Sequence, residues 1–242
     1  KYRCILALHI GWGGRATAER LDGSFDEARG KELLARYGVA SPQRRLCLTH
    51  DEARRAFAEL SKPVVVKIAA DDIAHKTEAG GVFLGVKSEA DLESALAALA
   101  RIPTSMPGRV LVEEMAGSGV ELIVGGVRDA SWGPCVVIGI GGVAAEAMAD
   151  SAVRLAPLGE ADVPDMLESL RGKKLLNGFR NLPRCDRASI AATAQALARL
   201  MLEHPEVAEV EINPLRMTEG GALALDALVV LSHDTPEQET KV

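Results

Sequence analysis

Apolar and polar positions alternate along this chain with two different periods, and the switches between them divide it into short elements. From Ser24-Phe25-Asp26-Glu27-Ala28 to Leu33-Leu34-Ala35-Arg36-Tyr37 the apolar residues recur at helical spacing, and Gly38 offers the left-handed residue on which such a helix stops. Thr49 with Glu52 three residues later is the pattern of a capping box, so a helix is predicted from there to about Leu60. The β-branched run at 63–68 predicts a buried strand, the polar stretch 69–81 a loop closed by two glycines, and 82–87 a short strand. Ser88 and Asp91 open a helix over 91–101, which the two prolines and the glycine of 103–108 bring to an end. A strand over 109–115 follows, then a hairpin of 120–127 and 134–140 with a longish turn at 128–133. Gly139, Gly141 and Gly142 bring backbone close to a neighbour. Helices are predicted over 160–170 and 189–203, and strands over 207–213 and 222–231 around a turn holding Gly220-Gly221.

The sum is a mixed α+β pattern with hairpins as well as crossovers and no internal repeat. It divides into an N-terminal extension (1–23), one domain (24–231) and a frayed tail (232–242) rich in Asp, Glu, Thr and Pro. With 242 residues, 48% of them apolar, the chain buries a sizeable core. Its net charge of -6 comes from interspersed acids and bases, so neither a nucleic-acid backbone nor a membrane surface is expected as a partner. Aromatics at 3% also argue against base stacking. No apolar stretch approaches the roughly 20 residues of a membrane span. Cys4, Cys47, Cys135 and Cys185 are scattered without metal or redox spacing, which makes a reducing cytoplasm the expected compartment. The chain begins at Lys1 with no recognisable secretory signal, and a piece trimmed from something longer is one expectation.

Four groups of residues carry candidate chemistry. Lys67 lies inside an otherwise apolar strand, where its ammonium either meets an anion such as a phosphate or snorkels to water. His75-Lys76-Thr77-Glu78-Ala79-Gly80-Gly81 sets an imidazole beside a cation, a hydroxyl and two glycines able to turn N–H groups toward an oxyanion. That loop suits a transiently phosphorylated histidine, with an ordinary surface residue as the plain alternative. Glu113, Glu114 and Met115, followed by Gly117, Gly119 and Glu121, could take ribose hydroxyls and an adenine edge, or be solvated acids at a strand end. Glu211 and Asn213 alternate to one face of a strand, with Asp226 expected in the partner strand, so the oxygens suit magnesium or line the polar face of an edge hairpin.

Taken in order, these segments resemble the ATP-grasp domain of the ADP-forming acetate–CoA ligases and, more distantly, the β subunit of succinyl-CoA synthetase. The resemblance runs from about Ala28 to Leu231. It rests on Lys31-Glu32-Leu33-Leu34-Ala35-Arg36-Tyr37-Gly38, on Lys67 leading to the His75–Gly81 text, and on Val112-Glu113-Glu114-Met115. It continues through Gly133-Pro134, the glycines from Gly139 to Gly142 with Glu146, and Glu211-Ile212-Asn213-Pro214-Leu215. It implies two α+β lobes with ATP or ADP between them. Lys67 would hold phosphate, the Glu113–Met115 segment would meet adenine, and Glu121 would hold ribose or phosphate-linked groups. Asn213 and Asp226 would bind Mg2+. His75 would be the phosphate carrier and Glu211 would orient it. Where relatives carry Ser-Pro-Asp before the histidine, this chain has Ala70-Asp71-Asp72, removing a hydroxyl and adding a carboxylate. The chain has no room for the CoA-binding domains that carry the acyl chemistry, so the resemblance implies a CoA-binding α-type subunit or fused domains as partner. An ATP-binding regulatory domain of a larger protein is the alternative; a carboxylate–amine ligase fits the histidine-centred loop less well.

Overall fold

A computed structural model describes residues 19–70, 72–73, 76–142, 149–180 and 182–232. Ten strands in two antiparallel sheets and five α-helices make up those residues.

The first helix, α1 (Glu27–Arg36), starts three residues later than the periodicity suggests, because the Asp26 side chain takes the Arg29 N–H at 2.8 Å and so caps it. Gly38 follows at φ +85° as the expected stop. The small sheet has the order β1 (Arg44–Cys47), β4 (Val110–Glu114), β2 (Val64–Ile68), β3 (Val82–Val86), all antiparallel. Helices α2 (His50–Glu59) and α3 (Glu89–Leu99) cover one of its faces, where Val64, Val66, Ile68, Val110 and Val112 form the core with Phe57, Leu92 and Leu96. The α3 capping box at Ser88 and Asp91 is complete, whereas at α2 Glu52 turns one residue further back and accepts from Leu48 N at 2.7 Å.

The large sheet runs β10 (Leu228–Leu231), β8 (Val207–Thr218), β5 (Val120–Asp129), β6 (Gly133–Ile140), β7 (Ser151–Leu155), with β9 (Gly221–Ala224) also pairing with β8. Helices α4 (Asp162–Ser169) and α5 (Arg187–Glu203) pack on one face against Leu122, Val124, Val136, Ile138, Val210 and Ile212. A Cβ at Gly126 would stand 2.9 Å from Met201 Cγ, which explains a glycine where α5 crosses β5. Arg128 closes the far end of α5 by donating to the carbonyls of Met201 and His204.

Four expectations need correcting. The hairpin turn is tighter than predicted, since both strands extend to pair Asp129 with Gly133 and the Asp129 carboxylate takes the N–H groups of Ser131 and Trp132. Strand β8 runs on past Asn213 to Thr218, with an irregularity between the Leu122–Leu215 and Val124–Ile212 pairs. The stretch 222–231 is not one strand: the chain leaves the ladder at Leu225-Asp226-Ala227, between β9 and β10. Strand β7, which the sequence reading did not include, forms the edge of the large sheet. Nor is position 23 a clean boundary, because Leu21 is buried in the large core and its N–H donates to Glu206 at 2.6 Å.

Candidate functional site

Alternation along β2 and β4 decides what faces the junction between the sheets. With Val64, Val66 and Ile68 turned toward the helices, Val65 and Lys67 face the other way, as do Leu111 and Glu113 on β4. Helix α1 lies over that second face: Ala28 touches Ala69 and Leu111, while Leu33 and Leu34 belong to the large core. Arg109, just before β4, reaches Asp26 at 2.6 Å and fixes the start of α1. A Cβ on Gly30 would be 3.4 Å from that of Ala227, so the same helix lies close to the break between β9 and β10.

A buried ionic cluster fills this junction. Lys67 Nζ is 2.6 Å from Glu27 Oε1, 3.3 Å from Glu113 Oε1 and 2.6 Å from the Leu225 carbonyl. Lys31 Nζ reaches Glu27 at 2.8 Å and the same carbonyl at 2.8 Å, and pairs closely with the other Glu113 oxygen. Lys76 Nζ lies 3.0 Å from Glu27 Oε2 and 3.1 Å from Asp226 Oδ1. Lys31, Lys67 and Lys76 are thus matched by Glu27, Glu113 and Asp226, which is the condition on which so many charges can be buried. The break in the last hairpin has its reason here, because the Leu225 carbonyl accepts from two lysines rather than from a strand.

The electrostatics follow from the packing. Burial favours the neutral form of Glu27, but Lys67, Lys31 and Lys76 outweigh it and hold the carboxyl well below the usual range. Burial likewise works against charge on Lys67 and Lys76, yet Glu27 leads the carboxylates that keep both above the ordinary lysine value. Lys31 is lowered, since its burial is the largest influence. Asp226 is raised by burial and by repulsion from Glu27, with Lys76 and Lys67 compensating in part.

The second face of the large sheet carries the other candidates. Leu122, Val124, Val210 and Ile212 point into the core, so Glu121, Glu211 and Asn213 share the side away from the helices. Glu211 is half-buried opposite Gly125, and Asn213 is exposed. Leu225 N donates to Pro214 O at 3.0 Å and Leu228 pairs with Glu211, so Asp226 runs alongside Asn213 although it lies outside a strand. Glu121 is clasped by Arg216, whose other nitrogen donates to Gly117 O at 2.9 Å. Gly141 and Gly142 lie against Glu121 and Gly139 against Asp150, the close approaches that those glycines predicted.

Several predicted groups are differently engaged. Lys67 is 7% exposed and fully engaged by carboxylates and a carbonyl. Neither Glu113 nor Glu114 is free for a ribose: Glu113 is enclosed by two lysines, and Glu114, on the opposite face of β4, accepts from Ser61 N at 2.9 Å. Met115 is exposed, and its N–H bonds to Pro63 O. The N–H groups of Gly80 and Gly81 point inward to Thr77 O and Lys76 O, so they shape the loop instead of facing an anion. His75 and Glu146 lie outside the described residues. Glu27 and Lys31 were given no role by the sequence reading; their spacing of four on α1 beside a strand lysine was the available signal.

Among known proteins, the family described as "ATP-grasp domain" matches residues 15–231. The chain belongs to the ATP-grasp domain family. The ADP-forming acetate–CoA ligase I of Archaeoglobus fulgidus is 34% identical over 212 residues, which are 86% of this chain and 31% of that one. The β subunit of the ADP-forming acetate–CoA ligase I of Pyrococcus furiosus is 31% identical over 85% of this chain and 90% of its own length. This chain therefore spans about a third of the Archaeoglobus ligase but nearly all of the Pyrococcus β subunit. In structure it is similar to the dinucleotide-forming acetyl-coenzyme A synthetase 1 of Ca. Korarchaeum cryptofilum in complex with coenzyme A, Ca-AMPCP and HgCl+. That match has a TM-score of 0.83, 33% identity, and coverage of 86% of this chain and 93% of that one. A second structure of that protein, with Mg-AMPPCP, has its phosphohistidine segment pointing towards the nucleotide binding site and a TM-score of 0.74 at 33% identity. Among the described residues of the ATP-grasp domain, no helix is long and apolar enough to cross a membrane.

Proposed function

We propose that this chain is the nucleotide-side part of an ADP-forming acyl-CoA synthetase and moves a phosphoryl group between ATP and His75. The observation that carries the reading is the convergence of Lys67, Lys76 and Asp226 at the junction of the two sheets, with Lys76 directly following the histidine in the chain. In the forward step a ring nitrogen of His75 attacks the terminal phosphorus of ATP, a P–N bond forms as the P–O bond to ADP breaks, and the reverse step regenerates ATP. Such transfer is stabilised mainly by position and by cations around the phosphoryl oxygens, a part that Lys67 and Lys76 take when the nucleotide's phosphates replace one of the oxygen partners each now holds. Gly80 and Gly81 let the loop make its turn, and Glu211, on the open face of the large sheet, orients the phosphorylated ring.

Glu211, Asn213 and Asp226 bring oxygen donors to one edge, so this edge fits Mg2+, with Asn213 and Asp226 as its ligands once Asp226 exchanges its contact with Lys76 for the ion. When bound, the ion neutralises charge on the phosphates. The exposed Met115 side chain and the linker after it present the surface for adenine, and Glu121, steadied by Arg216, holds the ribose side. A CoA-binding subunit or fused domain supplies the acyl phosphate, in keeping with the span of this chain on its fused relatives. The compartment is the cytoplasm. Incubation with Mg2+ and γ-labelled ATP tests the reading. Label stable to base, lost in acid and absent from His75→Asn is expected; saturable ATP binding without protein label would support the regulatory alternative instead.

A further inference from the structure

We propose that Glu27 is a positioning residue that docks the 76–81 loop at the junction of the two sheets by holding Lys76 with the same carboxylate that orders Lys67. The inference rests on the reading of that loop as the carrier of the reacting histidine, and adds to it the group that fixes where the loop sits. One oxygen of Glu27 lies 2.6 Å from Lys67 and 2.8 Å from Lys31, and the other 3.0 Å from Lys76. Of residues 76–80, Lys76 alone is buried, while Thr77 to Gly80 are exposed. Each end of the loop is tied separately: Asp72 accepts from Thr104 Oγ1 at 2.7 Å and from Ser105 N at 2.6 Å, and Gly81 O accepts from Ile68 N at 2.8 Å. Among the described residues between those ties, it is the Lys76 ammonium that reaches the junction.

A buried ammonium stays only where anions meet it. Lys76 has two, Glu27 and Asp226, and they differ in kind. Asp226 is half-exposed, in a break between strands, and is the carboxylate assigned to magnesium. Glu27 is enclosed, on a helix whose N-cap is tied to β4 through Arg109. The helix-borne carboxylate is therefore the fixed partner, and the loop docks against it. Because the same side chain orders Lys67, docking of the loop and order at the phosphate site are set together.

Hydrogen–deuterium exchange of the nucleotide-free chain tests this, with peptides from β5 and β6 reporting on global fold. In Glu27→Gln the amides of Gly80 and Gly81 are expected to exchange about tenfold faster or more. Lys76→Met, which leaves the α1 and Lys67 pairs in place, should do the same, and the double variant should add little to either single change. Both variants should also slow histidine labelling about tenfold or more, whereas nucleotide affinity should fall further in Glu27→Gln, where Lys67 is disturbed as well. Unchanged loop exchange in folded Lys76→Met overturns the proposal, even if Glu27→Gln does not fold. Labelling at the wild-type rate in both variants also overturns it, and removes Lys76 from the transfer step, while leaving phosphoryl transfer to His75 standing. If the unmodified chain takes no label, the functional reading falls and the exchange comparison alone decides whether Glu27 docks the loop.

Discussion

Lys31 is fully buried between Glu27, Glu113 and the Leu225 carbonyl. Replacing it by Met removes one cation from a matched set and leaves buried carboxylates short of charge, a change that costs roughly 3–5 kcal/mol. Urea unfolding should show that loss at neutral pH. Its pH dependence has a definite sign: the folded-state proton affinity of Glu27 is depressed, so its contribution is complete above the unfolded value of about 4.3 and drains away as pH falls below it. The gap between Lys31→Met and the parent should therefore narrow in acid; a gap that is constant with pH would mean that Lys31 acts by packing alone. Legibility at this scale was uneven. Lys67 stood out because an ammonium in a β-branched run demands an explanation. Glu27 did not, because an acid in the first turn of a helix already has one in the helix dipole. Glu113 was read toward a nucleotide, and only the strand's alternation against α1 turns it toward lysines.

At the level of elements, the linker between β4 and β5 joins the two sheets, and its glycines differ in purpose. A Cβ on Gly119 would stand 2.0 Å from the carbonyl oxygen of Met217, a backbone atom of β8 with no freedom to move aside. Gly117 has nothing within 4 Å of the same construction. Gly119→Ala should accordingly lower stability by more than about 2 kcal/mol, and Gly117→Ala should stay within about 0.5 kcal/mol of the parent. Thermal or urea unfolding of the pair checks this, and equal effects would contradict it. Most elements were legible from period and caps, including the α3 box and the Gly38 stop. Two were not. The alternation over 222–231 reads as one strand, because nothing local shows that the Leu225 carbonyl is claimed by lysines far away in sequence. Strand β7 was missed because Val153 and Leu155 are exposed at a sheet edge, so only Ala152 carries a core signal.

For the whole molecule, two antiparallel sheets each place helices on one face and leave the other for chemistry, and α1 with its ionic cluster bridges them. The α+β class and the ATP-grasp resemblance were readable from motif order. The wiring of the junction was not, because it depends on residues 27, 31, 67, 76, 113 and 226 meeting in space. The reading of this junction as a phosphoryl-transfer site meets its most direct test in a chase. Protein labelled from γ-labelled ATP is freed of nucleotide and mixed with Mg2+ and ADP. The account predicts that label leaves the protein and appears as ATP in matching amount; label that stays bound, or departs only as inorganic phosphate, would contradict it.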